Sequence, residues 1–397
     1  MNQSQDTVAD SQSSPLDQSF IKDHPALVPN SNADIEEGRA AYHPGGFHPV
    51  YIGDLFNGRY KVLNKIGYGV YSTVWLVRDL KNQDGPEHAF RALKVLSGEC
   101  YGTGNDTFER EILTHLREGD RSQVGHAYVC HMIDDFQHQG PNGTHVCLVF
   151  ELMGETLRSF GAWFEESRVP TPIMRRFTIQ LLLAIESGYL VEAPVPQQDR
   201  EEEQYSPIPS CPLRNFYFND YDSKHVDEFD IALGDWGVSS WERKHLTEKI
   251  QPVALRSPEV LIQAPWDTNT DWWNLGAVIH EVYRAIRMFT GAVPPDGHYE
   301  LKEHLAEIIN LFGPFPKELL EKGNQDLVGK LFDSDGVLKD PAPLTRVGIS
   351  SEEFTPGLDE ETKEEYISFL KALMIINPEE RWGVMDLLRH PWLGAVE

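Results

Sequence analysis

Two glycines one residue apart, in Gly67-Tyr68-Gly69-Val70-Tyr71-Ser72-Thr73-Val74-Trp75, constrain this chain more than any other feature. Lacking a Cβ, they let backbone amides approach an anion such as a phosphate closely, and they tolerate positive φ. The pair alone is a weak signal, since dinucleotide-binding folds use a similar pattern where a helix opens at the glycines. Its flanks are more telling. Tyr60, Val62 and Leu63 before the pair, and Val74, Leu76 and Val77 after it, are strand-like rather than helical. A strand-loop-strand hairpin is therefore expected, with Ser72 and Val74 on its returning limb.

Downstream residues give the hairpin chemical company. Lys94 has the apolar neighbours Ala92, Leu93 and Val95, so its ammonium projects from a buried third strand and needs an anionic partner or a phosphate. Glu111 is the candidate partner, in Thr107-Phe-Glu-Arg-Glu-Ile-Leu-Thr-His-Leu116, where Phe108, Ile112, Leu113 and Leu116 recur at helical spacing. Glu109 lies nearby on the same helix and the spacing leaves the choice open, as it does a plain solvated face. Val146-Cys-Leu-Val-Phe-Glu-Leu-Met153 reads as an apolar strand running into a hinge, where backbone groups of Glu151 to Met153 meet an adenine edge. Leu233-Gly-Asp-Trp-Gly237 sets Asp235 on a glycine-flanked turn, suited to Mg²⁺, which prefers hard oxygen ligands. Arg256-Ser-Pro-Glu259, Asp271-Trp-Trp-Asn-Leu-Gly276, Asn377-Pro-Glu-Glu-Arg381 and His390-Pro-Trp-Leu393 follow in that order.

This series resembles the motifs of the eukaryotic protein kinases. The resemblance implies an α+β, bilobal fold with a small β-rich N-lobe over 42–152 and a larger α-helical C-lobe over 153–397, using ATP and Mg²⁺. It places Gly67, Gly69, Ser72, Val74, Lys94, Glu111, Glu151 and Met153 around the nucleotide and Asp235 on the metal. Glu259 and Arg381 would form a buried ion pair holding the activation segment to the C-lobe. The leader Tyr42-His-Pro-Gly-Gly-Phe-His-Pro-Val-Tyr-Ile-Gly-Asp-Leu-Phe-Asn-Gly-Arg-Tyr60, with Ser72-Thr-Val-Trp-Leu76, Ile133-Asp-Asp-Phe136 and His145-Val-Cys147, is similar to the SR-protein kinases. That narrower resemblance implies a basic Arg/Ser-rich splicing-factor substrate, met in the cytoplasm and nucleus. Glu303 falls where those kinases carry an acidic docking residue, Glu307 shares its helical face, and Asn310 replaces a second acid.

One departure matters as much as the match. After a helix expected over Pro172 to Ile185, with Met174, Phe177, Leu181 and Leu182 as its apolar face, the family pattern calls for a His-x-Asp-x-Lys-x-x-Asn-type catalytic loop. There Asp orients or accepts the substrate hydroxyl proton, Lys meets the transferring phosphate, and Asn holds a second Mg²⁺. Here Ile185 runs into Glu186-Ser-Gly-Tyr-Leu-Val-Glu-Ala-Pro-Val-Pro196, and no such loop appears before Asp235. Asp222 is the only near match: Lys224 and Asp227 follow at suitable offsets, but Asp220 replaces the His. Asp222 also lies only thirteen residues before Asp235, so a polar surface loop is the better reading. Family-like sequence in register on both sides favours loss of one internal block over gradual decay.

Composition supplies the remaining bounds. The 397 residues carry 62 acidic and 35 basic side chains, a formal charge of −27, which disfavours nucleic acid and anionic membranes and favours cationic partners. Residues 1–41, polar and poor in aromatics, read as a disordered tail without a secretory h-region. Apolar runs are too short to span a bilayer. Cys100, Cys130, Cys147 and Cys211 show no Cys-x-x-Cys spacing, which argues for a reducing compartment and against a zinc site. Proline-rich sequence over about 191–215 reads as an exposed insert. Oligomeric state leaves no trace in the sequence.

Overall fold

The computed structural model describes residues 37–82, 89–102, 107–119, 126, 129–154, 156–162, 164–183, 205, 207–208, 210, 231, 233–241, 245, 247–293, 297–340 and 348–394. Six strands form one antiparallel sheet: β1 (Leu55–Phe56), β2 (Tyr60–Tyr68), β3 (Ser72–Asp79), β4 (Phe90–Leu96), β5 (Met132–Gly140) and β6 (Gly143–Glu151), in the order β1-β2-β3-β4-β6-β5. Period-two alternation sorts the side chains between two faces. Val146, Leu148 and Phe150 pack with Leu113 of α1 (Glu109–Arg117) on one face. Cys147 and Val149 join Trp75, Val77, Leu93 and Val95 on the other, beneath leader residues Val50 and Phe56. The short β1 in the leader makes the lysine-bearing strand fourth rather than third.

The C-lobe is helical: α2 (Leu157–Gly161), α3 (Thr171–Leu183), α4 (Pro258–Leu261), α5 (Asn269–Arg284), α6 (Leu301–Phe312), α7 (Lys317–Lys322), α8 (Gln325–Leu331), α9 (Glu360–Leu373) and α10 (Val384–Leu388). A small hairpin, β7 (Ala292–Val293) with β8 (His298–Tyr299), precedes α6. The lobe has a separate core, in which fully buried Trp273 and Tyr283 of α5 meet Tyr366 and Phe369 of α9 and Trp392. Helix α3 follows the expected face, with Met174 and Phe177 buried and Leu181 and Leu182 packed against the same core. Among the described residues no helix is long and apolar enough to cross a membrane.

Two expectations are corrected. The polar tail does not extend to residue 41: Arg39–Ala41 form a 3-10 turn, and the Glu37 carboxylate, 3% exposed, pairs with Lys65 Nζ at 2.5 Å. A fully buried ammonium needs such a partner, which ties down the start of the leader. Nor is the proline-rich insert wholly exposed. Tyr205, Pro207 and Ile208 are buried, and Ile208 joins the N-lobe core beside Val50. Five prolines point to an exposed loop, but Tyr205 and Ile208 pack against leader residues Tyr42 and Val50.

Candidate active site

The glycine-rich hairpin forms as expected, with Gly67 opposite Val74 across β2 and β3 and Gly69 N–H donating to Ser72 O at 2.8 Å. Neither glycine adopts positive φ. Their contribution is open space: a Cβ on Gly67 would meet nothing within 4 Å, and one on Gly69 only Ser72 Oγ at 3.6 Å. A side chain there would project where an anion must approach the amides.

Beneath the hairpin lies a cavity of about 470 Å³, within the usual range for a small-molecule site. Val74, Ala92 and Leu152 give it apolar walls, and Glu151 and Met153 stand at the rim where β6 leaves the sheet. Lys94 Nζ lies 2.6 Å from Glu109 Oε1 and 3.0 Å from Asp235 Oδ1. Burial works against the lysine charge, but the two carboxylates outweigh it and hold the Lys94 pKa above the ordinary value. The ammonium is therefore charged, fixed and aimed into the cavity.

The partner is Glu109, not Glu111. Glu111 is exposed and accepts a hydrogen bond from Tyr101 Oη at 3.2 Å. Helical geometry explains the difference: Glu109 stands at i to Ile112, Leu113 and Leu116 at i+3, i+4 and i+7, the face that packs against the sheet. Glu111 points away from it. The signal was present in the spacing, but Phe108 obscured it by reading as part of the apolar face. Phe108 instead holds the N-cap in a left-handed conformation, φ 54°.

Asp235 also adopts a left-handed backbone, φ 63°, and its side chain is 87% exposed towards the cavity mouth. Its segment is anchored to the N-lobe. Val129 and Leu233 form a parallel bridge, Cys130 N–H donates to Leu233 O at 3.0 Å, and Trp236 packs in the cluster that holds Leu113 and Met132. Gly237 completes the fit, because a Cβ there would come within 3.2 Å of Glu109 Oε2. The sequence marked Gly237 as a flank of the turn, but not its contact with Glu109 nor the packing of Trp236.

These residues suit a nucleotide with one divalent cation. Gly67, Gly69 and Lys94 would hold phosphate oxygens, and Asp235 would meet the metal with one hard carboxylate. The bound group would supply the transferable phosphoryl. The chain itself supplies position, through a lysine held by Glu109, and a cavity with apolar walls.

Farther from the cleft, Arg381 and Glu259 form a bidentate pair, Nη1 to Oε1 and Nη2 to Oε2 both at 2.8 Å, with both side chains fully buried. The remaining guanidinium donors reach Asn269 O at 2.7 Å, Ile375 O at 2.8 Å and Ile376 O at 3.4 Å. Asp271, exposed on the first turn of α5, has no side-chain partner among the described residues. Glu303 likewise makes no ion pair among them. Glu307, expected beside it on a docking face, is committed inward. It accepts from Thr290 N–H at 2.7 Å, Gly291 N–H at 2.9 Å and Thr290 Oγ1 at 2.6 Å. Asp222 lies outside the described residues, as does the junction of Ile185 with Glu186.

A six-stranded lobe over a helical one, a glycine hairpin, a lysine–glutamate pair and a carboxylate on the facing turn together define a protein kinase fold. The family described as protein kinase domain matches residues 217–393. A serine/threonine protein kinase of Aspergillus fumigatus is 32% identical over 381 residues, covering 92% of each chain. The serine/threonine-protein kinase SRPK of Physarum polycephalum is 28% identical, covering 92% of this chain and 94% of its own. A crystal structure of a kinase domain superposes with a TM-score of 0.64 at 19% identity, covering 87% of this chain and 98% of the other. The chain belongs to the serine/threonine protein kinase family, in its SR-protein kinase-like branch.

Proposed function

We propose that this chain binds Mg²⁺-ATP in the cleft between Lys94 and Asp235 and holds basic Arg/Ser-rich splicing-factor partners, in the cytoplasm and nucleus, without turning the nucleotide over. Phosphorylation of the partners' serines requires a product that carries the His-x-Asp-x-Lys loop this sequence lacks. One observation carries the reading: Lys94 is set between Glu109 and Asp235, while no residue from 186 to 235 matches the pattern that orients a substrate hydroxyl. Losing a general base costs about 10²- to 10⁴-fold in rate, and here substrate orientation and the second metal ligand go with it. Net charge supports the choice of partner, since −27 speeds encounter with cationic chains.

Titration calorimetry tests the binding half. Mg²⁺-ATP should bind the whole chain, with affinity lost in Lys94→Met and unchanged in Glu111→Gln. A basic Arg-Ser peptide should bind without ATP, more weakly as salt rises. A wild-type chain that binds neither ligand contradicts the proposal.

A further inference from the structure

The buried part of the insert leads to the glycine hairpin through an unbroken run of contacts. Tyr205, 8% exposed, donates from its hydroxyl to Val50 O at 2.7 Å. Its ring packs on Tyr42 at 4.4 Å between centroids and edge-on against Tyr51 at 5.3 Å. Ile208, 5% exposed, enters the leader-facing core. The Tyr42 hydroxyl donates to Glu37 Oε1 at 2.6 Å, and the other oxygen of Glu37 accepts from the buried Lys65 at 2.5 Å. The Lys65 ammonium lies 5.0 Å from the ring centroid of Tyr68, the residue between Gly67 and Gly69. Between Lys65 and Gly67 the pairing of β2 with β3 shifts register, so the strand lacks a regular ladder at the point where it becomes the hairpin.

We propose that Tyr205 is a positioning residue for nucleotide binding, a latch that fixes the glycine hairpin through Tyr42, Glu37, Lys65 and Tyr68. The inference rests on the nucleotide-binding reading above. A buried ammonium must keep its counter-charge. Tyr42 holds one oxygen of Glu37 so that the other is aimed at Lys65, and Tyr205 covers Tyr42. With the latch docked, Lys65 has one position and supports the face of Tyr68. With the latch undocked, water reaches Tyr42 and Glu37, the pair loosens, and the irregular stretch from Lys65 to Gly69 loses its support.

Hydrogen exchange over residues 66–73 of the full chain, read by mass spectrometry, tests this directly. Tyr205→Ala should speed exchange there by about tenfold while leaving α9 and α10 unchanged, as local rather than global opening requires. It should also weaken Mg²⁺-ATP binding several-fold. Tyr205→Phe, which keeps the ring and removes the hydroxyl that bonds Val50 O and Tyr42, should give a smaller increase in the same residues, and it decides the matter if Tyr205→Ala does not fold. Glu37→Gln should produce the same pattern, and its combination with Tyr205→Ala should fall short of the sum of the two. Unchanged exchange at 66–73 in the Tyr205 variants, or effects that simply add, would overturn the latch. If the wild-type chain binds no nucleotide, the functional reading fails, whereas the exchange data still decide whether Tyr205 positions the hairpin.

Discussion

The wall of the cleft that faces a nucleotide and the stretch that would face a substrate hydroxyl differ in how much of the family machinery they carry. On the first, each part has a neighbour holding it: Glu109 fixes Lys94, Gly237 makes room for Glu109, and Trp236 anchors the turn that presents Asp235. On the second, the sequence passes from α3 to Asp235 without the His-x-Asp-x-Lys pattern that in protein kinases orients the substrate hydroxyl. On the proposed reading, binding is separable from turnover in this chain, because it would draw on contacts local to the sheet while transfer would need a loop from elsewhere. The scaffold below the cleft supports the same division. Arg381 and Glu259 remain paired with all five guanidinium donors occupied, so this tie between the segment before α5 and the end of the C-lobe is intact.

The largest stability effect should come from that framework. Arg381→Ala leaves Glu259 buried without its counter-charge and should lower unfolding free energy by about 3–5 kcal/mol, read by urea denaturation. A loss near zero would mean that the C-lobe does not depend on the pair.

The N-lobe has a different weakness, to acid. His48 packs 4.6 Å from His138 and 5.0 Å from His145 between ring centroids, and burial lowers all three pKa values, that of His48 to about 3. The folded lobe therefore binds fewer protons than the unfolded chain. Stability from this cluster is fully present above the unfolded value, 6.5, and is lost as pH falls towards the folded one. For His48 the loss near pH 4.5 is on the order of 2–3 kcal/mol. Urea midpoints measured from pH 7.5 to 4.5 should fall less steeply in His48→Leu than in wild type; parallel slopes would refute the assignment.

Within the nucleotide wall, Glu109→Gln should weaken Mg²⁺-ATP binding about tenfold, the scale of one charged hydrogen bond, and Glu111→Gln should stay close to wild type. Equal effects in a fluorescent-nucleotide titration would show that the helix face has been misassigned. A change of comparable size, in stability rather than binding, is expected at Glu307. Replacing it with Gln removes a charged acceptor from Thr290 and Gly291 and should cost about 1–2 kcal/mol in thermal or urea unfolding, whereas Glu303→Gln should alter only peptide binding.

Much of this was legible in the chain because it is local. Strand alternation around Gly67, the apolar company of Lys94 and the turn at Asp235 each follow from a few neighbouring residues. The Glu259–Arg381 pair spans 122 positions and came only from the order of the motifs. What escaped depends on tertiary choice. Glu307 shares a helical face with Glu303, but backbone amides at the end of a neighbouring loop claim it, and no helical periodicity reports that. Likewise, Tyr205 sits among prolines and acids that read as solvent-facing, and only the folded leader offers it Tyr42, Tyr51 and Val50.

Single-turnover phosphate transfer from radiolabelled Mg²⁺-ATP to an Arg-Ser peptide, run on the pure whole chain at saturating nucleotide, tests the central claim most directly. The account predicts bound nucleotide with transfer at least about 10²-fold below that of a kinase with a complete catalytic loop. Rapid transfer abolished by Lys94→Met would contradict it, and would mean that a residue outside the His-x-Asp-x-Lys pattern orients the substrate serine.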